Sequence, residues 1–226
     1  MKNITAIINA LKKEHPSTFF DRNTTDPFYV LIATLLSQRT RDEITYEVAP
    51  ELFKKLRNPK EFSRASEAEI IRLIKRVGFY RRKADRIKKI AGILLEKHNG
   101  KVPGKFDELT ALPGVGRKTA NCVLVYAFKK PSIPVDTHVH RVSNRIGLVR
   151  TKTPEETEMK LMKTIPKKHW MSINELLVKH GQTICRPVNP KCEKCPITRH
   201  CDYYRNVLSK YSRQHEKSKI KYKKSK

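Results

Sequence analysis

Apolar residues return every three or four positions along most of the chain, and capping residues mark where the runs begin. Asp26 stands as an N-cap before Pro27 at a first helical position, and Phe28, Leu31, Ile32 and Leu35 follow on one face. That face should be buried. Ser66 with Glu69 forms a capping box ahead of Ile70, Ile71, Leu73 and Ile74, and Gly78 sits where a left-handed C-terminal cap belongs. Ala84, Ile87, Ala91, Leu94 and Leu95 mark a further helix closed by Gly100, and Thr153, Pro154 and Glu156 open another. No segment alternates as a strand does, so the pattern predicts an all-α fold.

Charge changes the picture from fold to partner. The 226 residues carry 49 Lys and Arg against 22 Asp and Glu, a formal charge of +27. Such an excess attracts a polyanion through phosphate contacts and counterion release, which points to nucleic acid. A membrane surface is the competing partner, but no run of about twenty apolar residues and no signal segment is present. Four of the five cysteines crowd together near the C-terminus, unlike an extracellular disulfide framework. The expectation is an intracellular protein, cytoplasmic or at the nucleoid, with no membrane partner. From Arg205 the last 22 residues hold nine Lys or Arg against one Glu, a basic tail that serves either solubility or non-specific DNA contact.

Candidate chemistry begins in "FDELTALPGVGRKTANCVLVYAF", where two short apolar helices flank a Gly-x-Gly turn. Gly114 and Gly116 permit positive φ and close backbone approach, and Arg117 and Lys118 open a helix whose free N–H groups suit a phosphate. This is a helix-hairpin-helix pattern, with Leu109, Leu112, Val115, Val123 and Leu124 as its packing residues. The helix N-terminus and Arg117 both disfavour the ammonium form of Lys118, which suits it to attack a sugar carbon and form a Schiff base. A phosphate-contacting or solvated lysine is the plainer alternative. Eighteen residues on, "VDTHVHRV" places Asp136 as a helix cap that can also stabilise positive charge on a sugar or deprotonate a nucleophile. His138 and His140 point to different faces of that helix and read as structural or DNA-facing.

The segment "CRPVNPKCEKCPITRHC" sets Cys185, Cys192, Cys195 and Cys201 at the spacing C-x6-C-x2-C-x5-C. Four thiolates in one loop call for a metal centre, either an iron–sulfur cluster or zinc. Cys122, inside an apolar helix, reads as a small buried hydrophobe.

Taken together and in this order, "LPGVGRKTAN", "VDTHVHRV" and the cysteine spacing resemble the endonuclease III family of DNA glycosylases, over roughly residues 1 to 205. The resemblance implies a two-lobed helix-hairpin-helix glycosylase fold. Residues 21–131 would form a six-helix barrel lobe, residues 1–20 and 132–204 the iron–sulfur lobe, and residues 205–226 the tail. The segment "KKPSIPVD" is the candidate hinge, and DNA would lie across the cleft. It further implies a bifunctional enzyme that removes oxidised pyrimidines from duplex DNA and nicks the abasic strand by β-elimination. Lys118 matches the Schiff-base lysine, Asp136 the catalytic aspartate, and the four cysteines the ligands of one four-iron four-sulfur cluster. Arg186, Lys191 and Lys194 fall in the basic loop that the cluster supports against DNA.

Two positions depart from the family pattern. A leucine that wedges into the space left by the flipped base is replaced by Phe79 in "VGFYRRKA", a larger apolar wedge that can stack. In "LLSQRTRDE" the position of the glutamine that fills the hole is Arg39, with Gln38 one residue earlier, and both remain candidates. Two other readings stand beside the leading one. A monofunctional mismatch glycosylase shares this fold but typically lacks the lysine, and a non-catalytic DNA-binding module would carry structural zinc. A monomer is expected.

Overall fold

The computed structural model describes residues 2–16 and 26–206, so the basic tail lies outside the described residues apart from Arg205 and Asn206. Its regular elements there are helices: α1 (Ile4–Glu14), α2 (Pro27–Ser37), α3 (Asp42–Lys55), α4 (Pro59–Arg64), α5 (Glu67–Ile74), α6 (Tyr80–Lys97), α7 (Phe106–Thr110), α8 (Arg117–Tyr126), α9 (Thr137–Ile146), α10 (Pro154–Thr164) and α11 (Trp170–Thr183). No strand occurs among the described residues, and no helix among them is long and apolar enough to cross a membrane.

The caps read from the sequence do their work through hydrogen bonds. The Asp26 carboxylate accepts from the N–H groups of Phe28 and Tyr29 at 3.1 and 3.3 Å. Ser66 Oγ accepts from the Glu69 N–H at 3.1 Å, and Thr153 Oγ1 from the Glu156 N–H at 3.2 Å. Gly100, with φ of +73°, closes α6 as a left-handed residue. Gly78 does not. The left-handed residue there is Phe79, with φ of 58°. Gly78 is required for space instead, since a Cβ would lie 2.5 Å from the Arg39 carbonyl oxygen. Leu95 also departs from expectation, lying 39% exposed at the edge of the α6 stripe.

The chain divides into two compact units, Phe20–Pro134 and Met1–Phe19 with Val135–Lys226. The boundary falls inside "KKPSIPVD", where residues 129–136 carry no helix. In the first unit α2 packs against α8, α3 and α6, while α6 also receives α4 and α5. Leu31, Ile32 and Leu36 of α2 are fully buried, and every residue of α8 from Thr119 to Tyr126 is buried. A helix buried on all faces belongs in the centre of its unit. Phe28 stacks edge-on against Phe53 and Phe62, with ring centroids 5.8 and 5.2 Å away. In the other unit α11 gathers α9 and α1, and α10 rests on α9. Ile7, Ile8, Val139, Val142, Leu161, Ile173 and Leu177 form its core.

Among the described residues of the Phe20–Pro134 unit, one charged residue is buried against the apolar rule. Lys83, only 4% exposed, sits in the first turns of α6 and donates to the carbonyl oxygens of Leu36 and Gln38 and to Thr40 Oγ1. Three acceptors match the three donors of an ammonium group. Burial pushes the Lys83 pKa down to about 8, and Arg86 pushes the same way.

This shift has a sign in stability. Between pH 8 and 10.5 the unfolded chain keeps this proton while the folded chain releases it, so stability rises with pH by about 3 kcal/mol from this residue. Urea unfolding of wild type and Lys83→Met across that window should give a difference that climbs with pH. A flat difference would show that the folded-state pKa is not lowered.

Candidate functional site

The hairpin forms where the sequence places it. Leu112 ends the turn after α7, Gly114 takes φ of +76°, and Gly116 caps α8 at its N-terminus. Gly114 alone uses the left-handed freedom. Gly116 has φ of −88° and extended backbone, so its role is to keep the approach to the helix start clear: a Cβ there would meet nothing within 4 Å. Leu109, Leu112, Val115, Val123 and Leu124 are all buried, as the packing of the two helices requires. Arg117 is exposed at the first position of α8, with its guanidinium 4.8 Å from the Phe106 ring centroid. Lys118, beside it, is half-buried in the same first turn, where the N-terminal N–H groups and the helix dipole favour an anionic neighbour.

Two neighbouring turns stand next to this hairpin. Gln38, at the end of α2, directs its side-chain NH2 to the Gly114 carbonyl oxygen and to Thr119 Oγ1, each at 3.1 Å. Its amide is therefore committed to the hairpin. Arg39 is exposed, holds φ of 50°, and lays its guanidinium 5.6 Å from the centroid of the Phe79 ring. Phe79 itself is 54% exposed, an unusual state for an aromatic ring held in a left-handed backbone. The structure thus brings Gln38, Arg39, Phe79 and the hairpin glycines together in the Phe20–Pro134 unit.

Asp136 belongs to the other unit, at the N-cap of α9. Its Oδ1 accepts the Val139 N–H at 2.8 Å, which fixes the carboxylate at the start of the helix. The two histidines of "VDTHVHRV" take structural partners. His140 Nδ1 lies 2.7 Å from Thr157 Oγ1, and His138 Nδ1 lies 3.1 Å from Arg141 Nη2.

Cys185, Cys192, Cys195 and Cys201 border a single pocket, with Ile146, Ile184 and Ile197 as apolar wall. None is in a disulfide. Burial pushes the Cys195 thiol up to about 11, with Cys201, Cys185 and Cys192 adding to the rise, and Cys192 and Cys201 shift the same way. Thiolates so placed repel one another unless a cationic centre binds them. Three residues that the sequence does not single out contact the cysteines or the loop that carries them. Arg141 donates to the carbonyl oxygens of Gly181 and Cys185. Arg145 donates to those of Arg186 and Pro187, stacks on Tyr203, and approaches Cys185 Sγ at 3.6 Å. His180, fully buried, places Nε2 3.5 Å from Cys195 Sγ, and burial pushes its pKa down to about 4. The signal for all three is positional: Arg141 and Arg145 lie one helical turn apart on α9, but nothing local tells that this face meets the cysteine loop. Arg186, Lys191 and Lys194 are exposed on that loop.

Known proteins resemble this chain over most of its length. A family model described as the HhH-GPD superfamily base excision DNA repair protein covers residues 32–167. Endonuclease III of Thermotoga maritima is 54% identical over 188 residues, covering 82% of this chain and 88% of that protein. A solved non-covalent Endonuclease III–DNA complex superposes with a TM-score of 0.84 at 37% identity, over 91% of this chain and 97% of that one. A trapped Endonuclease III–DNA covalent intermediate gives a TM-score of 0.81 at 37% identity, with the same coverage.

The Gly114 turn makes a direct prediction about the hairpin. Gly114→Ala forces a side chain into φ of +76° and sets its Cβ 2.7 Å from Arg86 Cδ, which should cost about 1–2 kcal/mol in urea unfolding. An unchanged midpoint would mean that the turn relaxes out of the left-handed region.

Proposed function

The chain belongs to the endonuclease III family, within the HhH-GPD superfamily of base excision DNA repair proteins, and from that membership we propose that it is a bifunctional DNA glycosylase and AP lyase acting on oxidised pyrimidines in duplex DNA. The observation that carries this reading is Lys118 in the first turn of α8, directly behind the Gly114 turn. The amine attacks C1′ of the damaged nucleotide, the glycosidic bond breaks, and the base leaves with the bonding pair. Opening of the sugar ring yields an iminium between C1′ and Nζ. Loss of a proton from C2′ then expels the 3′-phosphate by β-elimination, and water returns the lysine. Asp136, held by the Val139 N–H, supports charge on the sugar or takes the proton of the attacking amine.

Binding precedes chemistry. Extruding a nucleotide costs a few kcal/mol, least where the base is damaged. Phosphate contacts from the hairpin N–H groups and Arg117 help offset that cost, with Arg186, Lys191 and Lys194 gripping at a second place. Phe79 acts as the apolar wedge. Arg39, rather than Gln38, fills the space left by the base, because the Gln38 amide is already bonded to the hairpin. A monomer suffices for one lesion.

The four cysteines fit one four-iron four-sulfur cluster. All four border one pocket with apolar walls, and a cluster of this type takes four thiolates. Such a cluster supplies a rigid anchor for its loop. Arg141 and Arg145 complete the anchorage by holding the carbonyl oxygens of residues 185 to 187.

Borohydride trapping on a duplex with one abasic site tests the lysine. Wild type should give a covalent complex on a denaturing gel and Lys118→Gln none. Binding without an adduct in wild type would leave a monofunctional glycosylase or a binding module. The cluster is tested separately: the purified protein should be brown and contain iron and sulfide in equal amounts, and Cys195→Ser should lose both. Zinc in their place would overturn it.

A further inference from the structure

Lys83 and Thr40 form a joint that neither the cysteine pocket nor the Schiff-base chemistry uses. Lys83 Nζ donates to Leu36 O at 2.8 Å, Gln38 O at 2.5 Å and Thr40 Oγ1 at 3.0 Å. Thr40 Oγ1 also accepts the Gly78 N–H at 3.1 Å and lies 3.4 Å from Gln38 O, to which its own hydroxyl proton can go. Two lone pairs and one proton are then all used. The Lys83 N–H meanwhile bonds to the Phe79 carbonyl oxygen at 3.1 Å. One residue therefore grips the Gln38–Thr40 turn by its side chain and the Phe79 turn by its backbone. The two turns are pressed together so closely that only a glycine fits at position 78, where a Cβ would lie 2.5 Å from Arg39 O.

What these turns carry explains the joint. Each presents one exposed side chain from a left-handed, non-glycine backbone, Arg39 at φ of 50° and Phe79 at φ of 58°. Such conformations persist only where surroundings over-determine them. We infer that Lys83 and Thr40 are positioning residues for lesion recognition, which lock Arg39 and Phe79 into one rigid probe that enters the base stack as a unit. This rests on the glycosylase reading. Pushing a base out of a stack needs a wedge that does not yield, and a buried ammonium bonded to three acceptors resists rotation better than a surface contact does.

The experiment is single-turnover base release from a duplex holding thymine glycol, run beside borohydride trapping on abasic DNA, where no base has to be unstacked. Lys83→Met should slow base release by about 10²-fold, the scale of a displaced positioning contact, while trapping persists. The deciding measurement is the cycle with Phe79→Ala. If Lys83 acts through the probe, Lys83→Met added to Phe79→Ala slows release by no more than about twofold. Multiplying effects would overturn the inference and leave Lys83 a general stabiliser. Thr40→Val should behave as Lys83→Met does, and Thr40→Ser, which keeps the hydroxyl, should restore wild-type release. That pair carries the test should Lys83→Met not fold. Wild-type release by Thr40→Val would also overturn it. A wild-type protein that neither traps nor releases base would instead remove the glycosylase reading itself.

Discussion

The packing of α2 against α8 governs the Phe20–Pro134 unit, because both helices are buried on nearly every face and neither can tilt without opening the core. Close-packed interiors transmit such constraints to whatever the helix ends carry. Here the C-terminal end of α2 carries the Gln38–Thr40 turn, and the N-terminal end of α8 carries Arg117 and Lys118. Gln38 bridges the two ends through Gly114 and Thr119. A hydrophobic contact thus fixes the distance between the Gln38–Thr40 turn and Lys118 of the same unit.

The second constraint is polar. A buried ammonium in an apolar unit would cost several kcal/mol if it lacked partners, and at Lys83 it has three. The backbone carbonyls it uses belong to the end of α2, where a helix leaves its last carbonyls without intrahelical donors. Lys83 therefore satisfies the Leu36 carbonyl oxygen and shares that of Gln38 with the Thr40 hydroxyl.

In the other unit the same logic operates around sulfur. Arg141 and Arg145 reach from α9 to carbonyl oxygens in the last turn of α11 and in the residues that follow it, so the loop bearing Cys185 is held through its backbone. The guanidinium of Arg145, between Cys185 Sγ and the Tyr203 ring, adds positive charge where thiolates gather. A cationic frame of this kind lowers the cost of negative charge on neighbouring sulfurs.

Local chemistry was legible in the sequence: the caps at Asp26, Ser66 and Thr153, the Gly114 turn with its apolar flanks, the aimed carboxylate of Asp136, and the cysteine spacing all depend on residues a few positions apart. Such patterns determine helices and a hairpin and set four thiols in one loop, because capping and turn chemistry act within a few residues. Contacts between distant segments were decided by the tertiary structure alone. Gly78 serves a close approach to Arg39 O rather than a left-handed cap, Leu95 lies at the edge of its stripe, and Gln38 turns to the hairpin while Arg39 faces outward. Lys83 reads in the sequence as another surface lysine among many. It becomes a buried joint only because the end of α2, forty-odd residues away, brings its unpaired carbonyls to the ammonium.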